Sequence, residues 1–281
     1  MCPEETENVI MGRLGIVAGG GNLPLAIARG AKKQGIYVVV CCVTDDFAPG
    51  LESVADRLCC LPLHAPYEIL RLFIQEKVTE VVLVGKVWKN RVFHDMALNG
   101  LMVDYMGHDG PRSDEGILQK FASDFESVGI TVTSQLKYAG DQLAGSGVLG
   151  EKIPSERELL DVEFGFKVAK HIGAMDIGQS VVVKDRIVLA IEAIEGTDAT
   201  ILRGGQLGGP GSVVVKVSRP SQDMRFDVPT VGPETIRRMV EVGAGCLALE
   251  AGHAIMVDRE EMLRLADEMG VSVVGYQPAN R

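Results

Sequence analysis

The run "LGIVAGGGNLPLAIARGAKKQGIYVVVCCV", Leu14 to Val43, leaves few folds open to this chain. The apolar segment Leu14–Ala18 enters Gly19–Gly21, Pro24 opens a helical pattern through Lys33, and Gly35 ends it before a second apolar segment, Ile36–Val43. Strand, glycine turn, helix and strand make a βαβ unit, and its right-handed crossover sets the two strands parallel. Further strands are predicted at Arg57–Leu63, Glu80–Val84 and Ile130–Gln135, with helices over Pro66–Lys77 and Gly116–Ser127. This alternation predicts an α/β fold whose first domain, residues 13–138, is a Rossmann-like, doubly wound, nucleotide-binding-like unit.

The pattern breaks at "AGDQLAGSGVLGEKIPSE", rich in glycine and serine, so residues 139–156 read as a Gly/Pro-containing linker. Beyond it, residues 157–281 read as a C-terminal catalytic α/β domain. Ser155 and Glu158 stand in capping-box spacing before the helix "ERELLDVEFGFKVAKHIG", and Gly173 lies near its end. Two apolar strands flank Lys184-Asp185-Arg186 and suggest a hairpin, although Asp-Arg is not the best turn pair. "GSVVVKVSR" is a further strand, Pro233 opens a helix, and "GVSVVGY" is the last strand. A length of 281 residues suits two cores rather than one.

Net charge is −10 with no basic block, which argues against a nucleic-acid partner. No apolar run approaches the roughly 20 residues that span a bilayer. Residues 1–12 are acidic without an apolar signal region and read as an N-terminal extension, which points to a cytoplasmic protein. The six cysteines, Cys2, Cys41, Cys42, Cys59, Cys60 and Cys246, make no CxxC spacing and read as small fillers in a reducing compartment.

Three groups of residues could carry chemistry in the first half. "AGGGNLP" would present backbone N–H groups of Gly19, Gly20, Gly21 and Asn22 at a helix N-terminus, a natural phosphate site. Pro24 stands where the dinucleotide fingerprint needs its last glycine, which disfavours a standard NAD site. Lys86, Lys89 and Arg91 follow the fourth strand, where such sheets bind ligands, beside Trp88. "GHDGPRSDEG" adds His108, Asp109, Arg112 and Asp114, with a solvated loop as the plainer reading.

The second half carries more acid. "EAIEGTDATILRGGQ" turns Glu192, Glu195 and Asp198 around Gly196, and Thr197 or Asp198 could cap the next helix. In "SQDMRFDVPT", Asp223, Arg225 and Asp227 alternate along an extended segment, which puts them on one face. Magnesium is commonly held by one or two carboxylates plus phosphates, and arginine supplies a planar fork for a phosphate. If the two acid-bearing segments meet, they make a site for metal-assisted phosphoryl chemistry. The plainer alternative is that Asp198 caps a helix and Arg225 pairs with Asp223. His171 and His253 read as structural.

The blocks "GIVAGGGNLP", "VGKV", "HIGAMDIGQSVVVKDRIVLAIEAIEGTDATI" and "QDMRFDVPTVGPETI" together resemble the LpxI-type UDP-2,3-diacylglucosamine pyrophosphatases, from about Leu14 to Tyr276. The resemblance implies a metal-dependent hydrolase of lipid A biosynthesis that cleaves UDP-2,3-diacylglucosamine into 2,3-diacylglucosamine 1-phosphate (lipid X) and UMP. It implies a two-domain enzyme that encloses its lipid-linked sugar nucleotide and touches the cytoplasmic face of the inner membrane weakly and peripherally. The catalytic set carried over is Asp227 first, with Asp223 and Arg225. The metal set is Asp227, Asp223, Glu192, Glu195 and Asp198, for Mg²⁺ or alternatively Mn²⁺. Substrate contacts are expected at Gly19, Gly20, Gly21, Asn22, Lys86, Arg91, Thr197 and Gln222. Apolar helices could support a homodimer. Two other readings stay open: a nucleotide-cofactor oxidoreductase using Asp45 or Asp46, and a non-catalytic carrier of acylated sugar nucleotides.

Overall fold

The computed structural model describes residues 12–85 and 114–278. The calls for Cys2, Lys86, Trp88, Lys89, Arg91, His108, Asp109 and Arg112 lie outside them. The chain is α/β and divides into two compact units between Tyr138 and Ala139.

In the first unit, β1 (Arg13–Ala18), β2 (Tyr37–Cys42), β3 (Arg57–Cys60), β4 (Glu80–Val84) and β5 (Thr131–Val132) form one sheet in the order β3-β2-β1-β4-β5. Every pairing in it is parallel. The central strands β1, β2 and β4 are near-continuous apolar runs, as a sheet covered on both faces requires. Helices α1 (Leu23–Lys33), α2 (Leu51–Val54), α3 (Pro66–Gln75) and α4 (Asp114–Ser127) connect the strands. Phe73 of α3 covers Gly15 so closely that a Cβ there would lie 3.0 Å from the ring. At the carboxyl ends of the neighbouring strands β1 and β4, Gly85 (φ +99°) packs against Gly19, where a Cβ would come within 2.8 Å of the Gly19 carbonyl carbon. Two strand exits can meet there because neither carries a side chain.

A helical turn, α5 (Leu136–Ala139), ends the first half. Residues 139–156, expected as a linker, are instead packed onto the second unit. Within them β6 (Gly147–Val148) pairs antiparallel with the last strand, β13 (Ser272–Tyr276), and Leu143 bridges to Ile255. The glycines serve close approach: a Cβ on Gly275 would sit 1.6 Å from the Gly145 carbonyl oxygen.

The second unit is built on a six-stranded sheet in the order β6-β13-β11-β9-β7-β8. Strands β9 (Val213–Lys216), β11 (Cys246–Glu250) and β13 are mutually parallel, while β7 (Ser180–Lys184) and β8 (Ile187–Ile191) add an antiparallel hairpin. Alternate residues of these strands feed two cores. Val181, Val183, Val213, Val215 and Ala248 pack with Val162, Phe166 and Ala169 of α6 (Glu156–Ala174). Val182, Val214, Leu247, Leu249 and Val273 pack with Ile201 of α7 (Thr197–Gly208), Met239 of α8 (Pro233–Glu241) and Met262 of α9 (Arg259–Glu268). Each buried valine, leucine, isoleucine, phenylalanine or methionine among them contributes on the order of 1.5–3 kcal/mol relative to exposure. The capping box of Ser155 and Glu158 forms at the start of α6.

The hairpin does turn at Asp185-Arg186, with both residues left-handed at φ 53° and 59°. Two positive φ values match the right-handed twist of the strands, but neither residue is a glycine or asparagine. Asp161 of α6 compensates. Its buried carboxylate accepts from the backbone N–H of Asp185 at 2.9 Å and of Arg186 at 2.6 Å.

Candidate active site

The acid-bearing loop, residues 217–229, leaves the carboxyl end of β9 and returns at β10 (Thr230–Val231), which pairs with β12 (Ile255–Met256). Its first anchor is Glu250, at the end of β11. Glu250 Oε2 accepts from Ser218 N and Ser218 Oγ, both at 2.7 Å, and from Lys170 Nζ of α6 at 2.7 Å. Lys170 also donates to the Ser218 carbonyl at 2.8 Å. Burial alone would raise the Glu250 carboxyl, but the hydrogen bonds from Lys170 and Ser218 outweigh it and hold the group below the usual range.

Next along the loop, Arg219 and Gln222 brace one another: Arg219 N donates to Gln222 Oε1 at 2.8 Å, and Gln222 N to the Arg219 carbonyl at 3.1 Å. Both side chains then converge on one oxygen of Asp227. Arg219 Nη2 donates to Oδ2 at 2.9 Å and Gln222 Nε2 at 2.5 Å, while Arg219 Nη1 reaches Asp176. Asp227 is half exposed.

The segment 223–227 is not extended as expected. Phe226 N and Asp227 N both donate to the Asp223 carbonyl, and Asp223 Oδ1 accepts from Arg225 N at 3.0 Å, so the chain turns. Aspartate bonded to the backbone two residues on is a turn former, and that local bond wins over the period-two pattern. Arg225 then forks onto the same carboxylate, with Nε at 3.0 Å from Oδ1 and Nη2 at 2.8 Å from Oδ2. That guanidinium is the main reason Asp223 is held below the ordinary carboxylate range.

The other three acids take separate roles. Glu192 is buried, and its Oε1 accepts from Thr197 Oγ1 at 2.7 Å while its Oε2 accepts from Gln179 N at 3.3 Å. Glu195 pairs with Arg203 at 2.5 Å; its own backbone N–H and then that arginine hold its carboxyl low. Asp198 lies in the first turn of α7 and is exposed, but Gly196 (φ 82°) is the N-cap, and neither Thr197 nor Asp198 caps the helix.

The expected five-carboxylate metal set is therefore not assembled. Among the described residues, no group of three or more histidine, cysteine, aspartate or glutamate side chains is placed to hold a metal ion. Both side-chain hydrogen bonds described for Asp227 fall on Oδ2. Thr197 and Thr230, one from each acid-bearing segment, are linked not through acids but through a lysine that the sequence pattern did not single out. Lys216 Nζ donates to Thr197 Oγ1 at 3.0 Å and to the Thr230 carbonyl at 2.9 Å.

In the first unit, the glycine loop packs against Asp46. A Cβ on Gly20 would lie 2.6 Å from Asp46 Oδ2, and Gly21 bridges to Phe47. Lys170, Lys216, Ser218, Arg219 and Glu250 were missed as site residues. The available signal was a lysine ending an apolar strand in "VVVKVSR" and a glutamate ending another in "CLALE", since charge is rarely buried without a specific partner.

An α/β unit whose described strands are all parallel, followed by a mixed-sheet α/β unit with a braced acid–arginine loop, defines a two-domain α/β protein. The chain belongs to the LpxI family: residues 13–142 match the LpxI N-terminal domain and residues 145–274 the LpxI C-terminal domain. It is similar to the UDP-2,3-diacylglucosamine pyrophosphatase LpxI of Caulobacter vibrioides, with 29% identity over 96% of this chain and 100% of that protein. Solved structures match far more weakly. The biotin carboxylase domain of a thermophilic 2-oxoglutarate carboxylase bound to ADP aligns at 14% identity and TM-score 0.29, over 61% of this chain and 34% of that one. N5-carboxyaminoimidazole ribonucleotide synthetase from Thermotoga maritima aligns at 18% identity and TM-score 0.23, over 66% and 42%. The chain spans less than half of either structure.

Proposed function

We propose that the protein hydrolyses the pyrophosphate of UDP-2,3-diacylglucosamine to lipid X and UMP, a step of lipid A biosynthesis. The observation that carries this is the collinear match of both halves to the two LpxI domains, together with the full-length pyrophosphatase relative. In the reaction, water adds to one phosphorus and the P–O–P bridge breaks, releasing the two monophosphates.

Asp227 is the proposed centre of that chemistry. Arg219 and Gln222 fix its Oδ2, so Oδ1 is presented in one orientation. Mg²⁺, or Mn²⁺ in its place, would be held by Oδ1 together with substrate phosphate oxygens, as magnesium commonly is. When bound, such an ion would acidify a coordinated water and offset charge on the phosphates. Arg225 would steady a phosphate oxygen by exchanging part of its fork from Asp223, which holds it ready. Thr197, at the first position of α7 and bonded to both Glu192 and Lys216, is proposed to contact substrate.

The first unit is proposed to be Rossmann-like and to bind the nucleotide. Its strand order puts the topological switch between β1 and β4, where Gly19–Gly21 and Asn22 lead into α1. Among the described residues, no helix is long and apolar enough to cross a membrane. The acyl chains need apolar surface, and Met175, Ile177 and Ile194 are 63%, 45% and 101% exposed on segments that flank the Gly178–Glu192 contact. These support weak, peripheral contact with lipid from the cytoplasmic side.

The test is hydrolysis of UDP-2,3-diacylglucosamine in ¹⁸O-water with Mg²⁺, wild type beside Asp227→Ala. Formation of lipid X and UMP by wild type alone supports the reading, and the labelled product identifies the phosphorus attacked. No products from folded wild type across several divalent metals would sink it in favour of a carrier.

A further inference from the structure

We infer that Lys216 is a positioning residue: its ammonium holds closed the neck of the loop that presents Asp227 and couples that loop to the start of α7. Lys216 is the last residue of β9, where loop 217–229 departs, and Thr230 is the first residue of β10, where it returns. The Lys216 Nζ bond to the Thr230 carbonyl, 2.9 Å, therefore spans the two ends of the loop across 14 positions. The same ammonium donates to Thr197 Oγ1 at 3.0 Å, and that hydroxyl donates to Glu192 Oε1 at 2.7 Å. One group thus ties together the strand exit, the strand return and the first residue of α7.

The burial makes the choice of lysine informative. Lys216 is 7% exposed and Glu192 is 8% exposed. Continuing the valine run of β9 with another apolar residue would avoid the cost of taking an ammonium out of water. Stability alone does not call for a lysine there, whereas two bonds to two different functional segments do. The loop is stiff beyond its neck. Arg219 and Gln222 brace each other, Asp223 closes a turn, and Ser218 is pinned to Glu250 at 2.7 Å. A stiff loop moves as a body, so the position of Asp227 relative to Thr197 and Glu192 is set at the neck. A misplacement of about 1 Å costs on the order of 10²-fold in rate.

The inference rests on the hydrolase reading, and the experiment separates the two. Lys216→Met alone removes the ammonium that is linked through Thr197 Oγ1 to the buried Glu192 carboxylate, so the full chain is also made as Lys216→Met/Glu192→Gln, with Glu192→Gln as its reference. Steady-state hydrolysis of UDP-2,3-diacylglucosamine and amide hydrogen exchange are measured on each. The expected result is a kcat about 10²-fold below the reference with KM within about threefold. Faster exchange should be confined to residues 217–230, with β7, β9 and β11 keeping their protection. A kcat within about threefold of the reference, or exchange accelerated evenly through the second unit, would overturn it. Wild type without turnover, but with exchange in the variant confined to the loop, would remove the hydrolase reading and leave the neck standing.

Discussion

Arg219 joins Asp227 Oδ2 through Nη2 at 2.9 Å while its Nη1 reaches Asp176, so one guanidinium bridges the loop to the end of α6. Asp227 is 50% exposed and Asp176 76% exposed, so solvent screens both pairs and they add little to stability. What the bridge supplies is direction. Asp227→Asn keeps the size and loses the charge. Its kcat is expected to fall by about 10²-fold or more, with the melting temperature nearly unchanged. A variant retaining wild-type kcat would remove Asp227 from the chemistry.

Arg219→Lys tests direction separately from charge. A lysine cannot reach two carboxylates with a rigid planar fork. A loss of about tenfold in kcat is expected, with stability altered by no more than about 0.5 kcal/mol. Full activity in the lysine variant would mean that charge alone suffices at this position.

Acid stability follows from Glu250. Its folded pKa is depressed below the unfolded value, so its contribution is fully present above the ordinary glutamate range and is lost as pH falls through the folded pKa. Thermal melts between pH 7 and pH 3 should show a decline that steepens below about pH 4.3. Glu250→Gln should lower the melting temperature at pH 7 and flatten that decline. An unchanged acid limb would show that other carboxylates dominate it.

Gly178→Ala tests how tightly the Glu192 segment is seated. The added Cβ would stand 2.1 Å from the Glu192 carbonyl oxygen, a main-chain atom that cannot rotate away. Destabilisation of about 1–3 kcal/mol is expected, read by urea melts, with activity falling as Glu192 and Thr197 shift. A neutral result would mean that the Gly178 turn can relax.

Cysteine reactivity should divide sharply. Burial first pushes the Cys41, Cys42 and Cys246 thiols up to about 12, so almost none is thiolate near neutrality. Cys60 is exposed, across the register from Cys42 on the neighbouring strand. Among the described cysteines, iodoacetamide at pH 8, followed by peptide mass mapping, should mark Cys60 first and the three buried thiols only after unfolding. Early marking of Cys42 would point to an opening of the β2–β3 edge.

The first βαβ unit was legible because its signals are local: an apolar run, three glycines, Pro24 and Gly35. The hairpin at Asp185-Arg186 was legible only as a doubtful turn, since the carboxylate that holds it belongs to Asp161, 24 positions away from Asp185. The segment 139–156 looked like a linker because glycine and serine mark both flexible joints and edge strands that must lie close to another backbone. For the site, the "DMRFD" block was visible but its geometry was not. Alternation and a local Asp223–Arg225 turn fit the same letters, and only the hydrogen bonds separate them. Lys170, Lys216 and Glu250 act through partners 14 to 80 positions away, a distance at which spacing carries no signal.

The valines of β7 and β9 face two cores by turns, and that doubles the cost of a slipped strand. A single inserted or deleted residue in Val181–Val183 or Val213–Val215 would exchange the side chains offered to α6 with those offered to α7 and α8. Length changes accumulated during descent should therefore collect outside these strands. Within them, one amino acid can be traded for another while the count stays fixed.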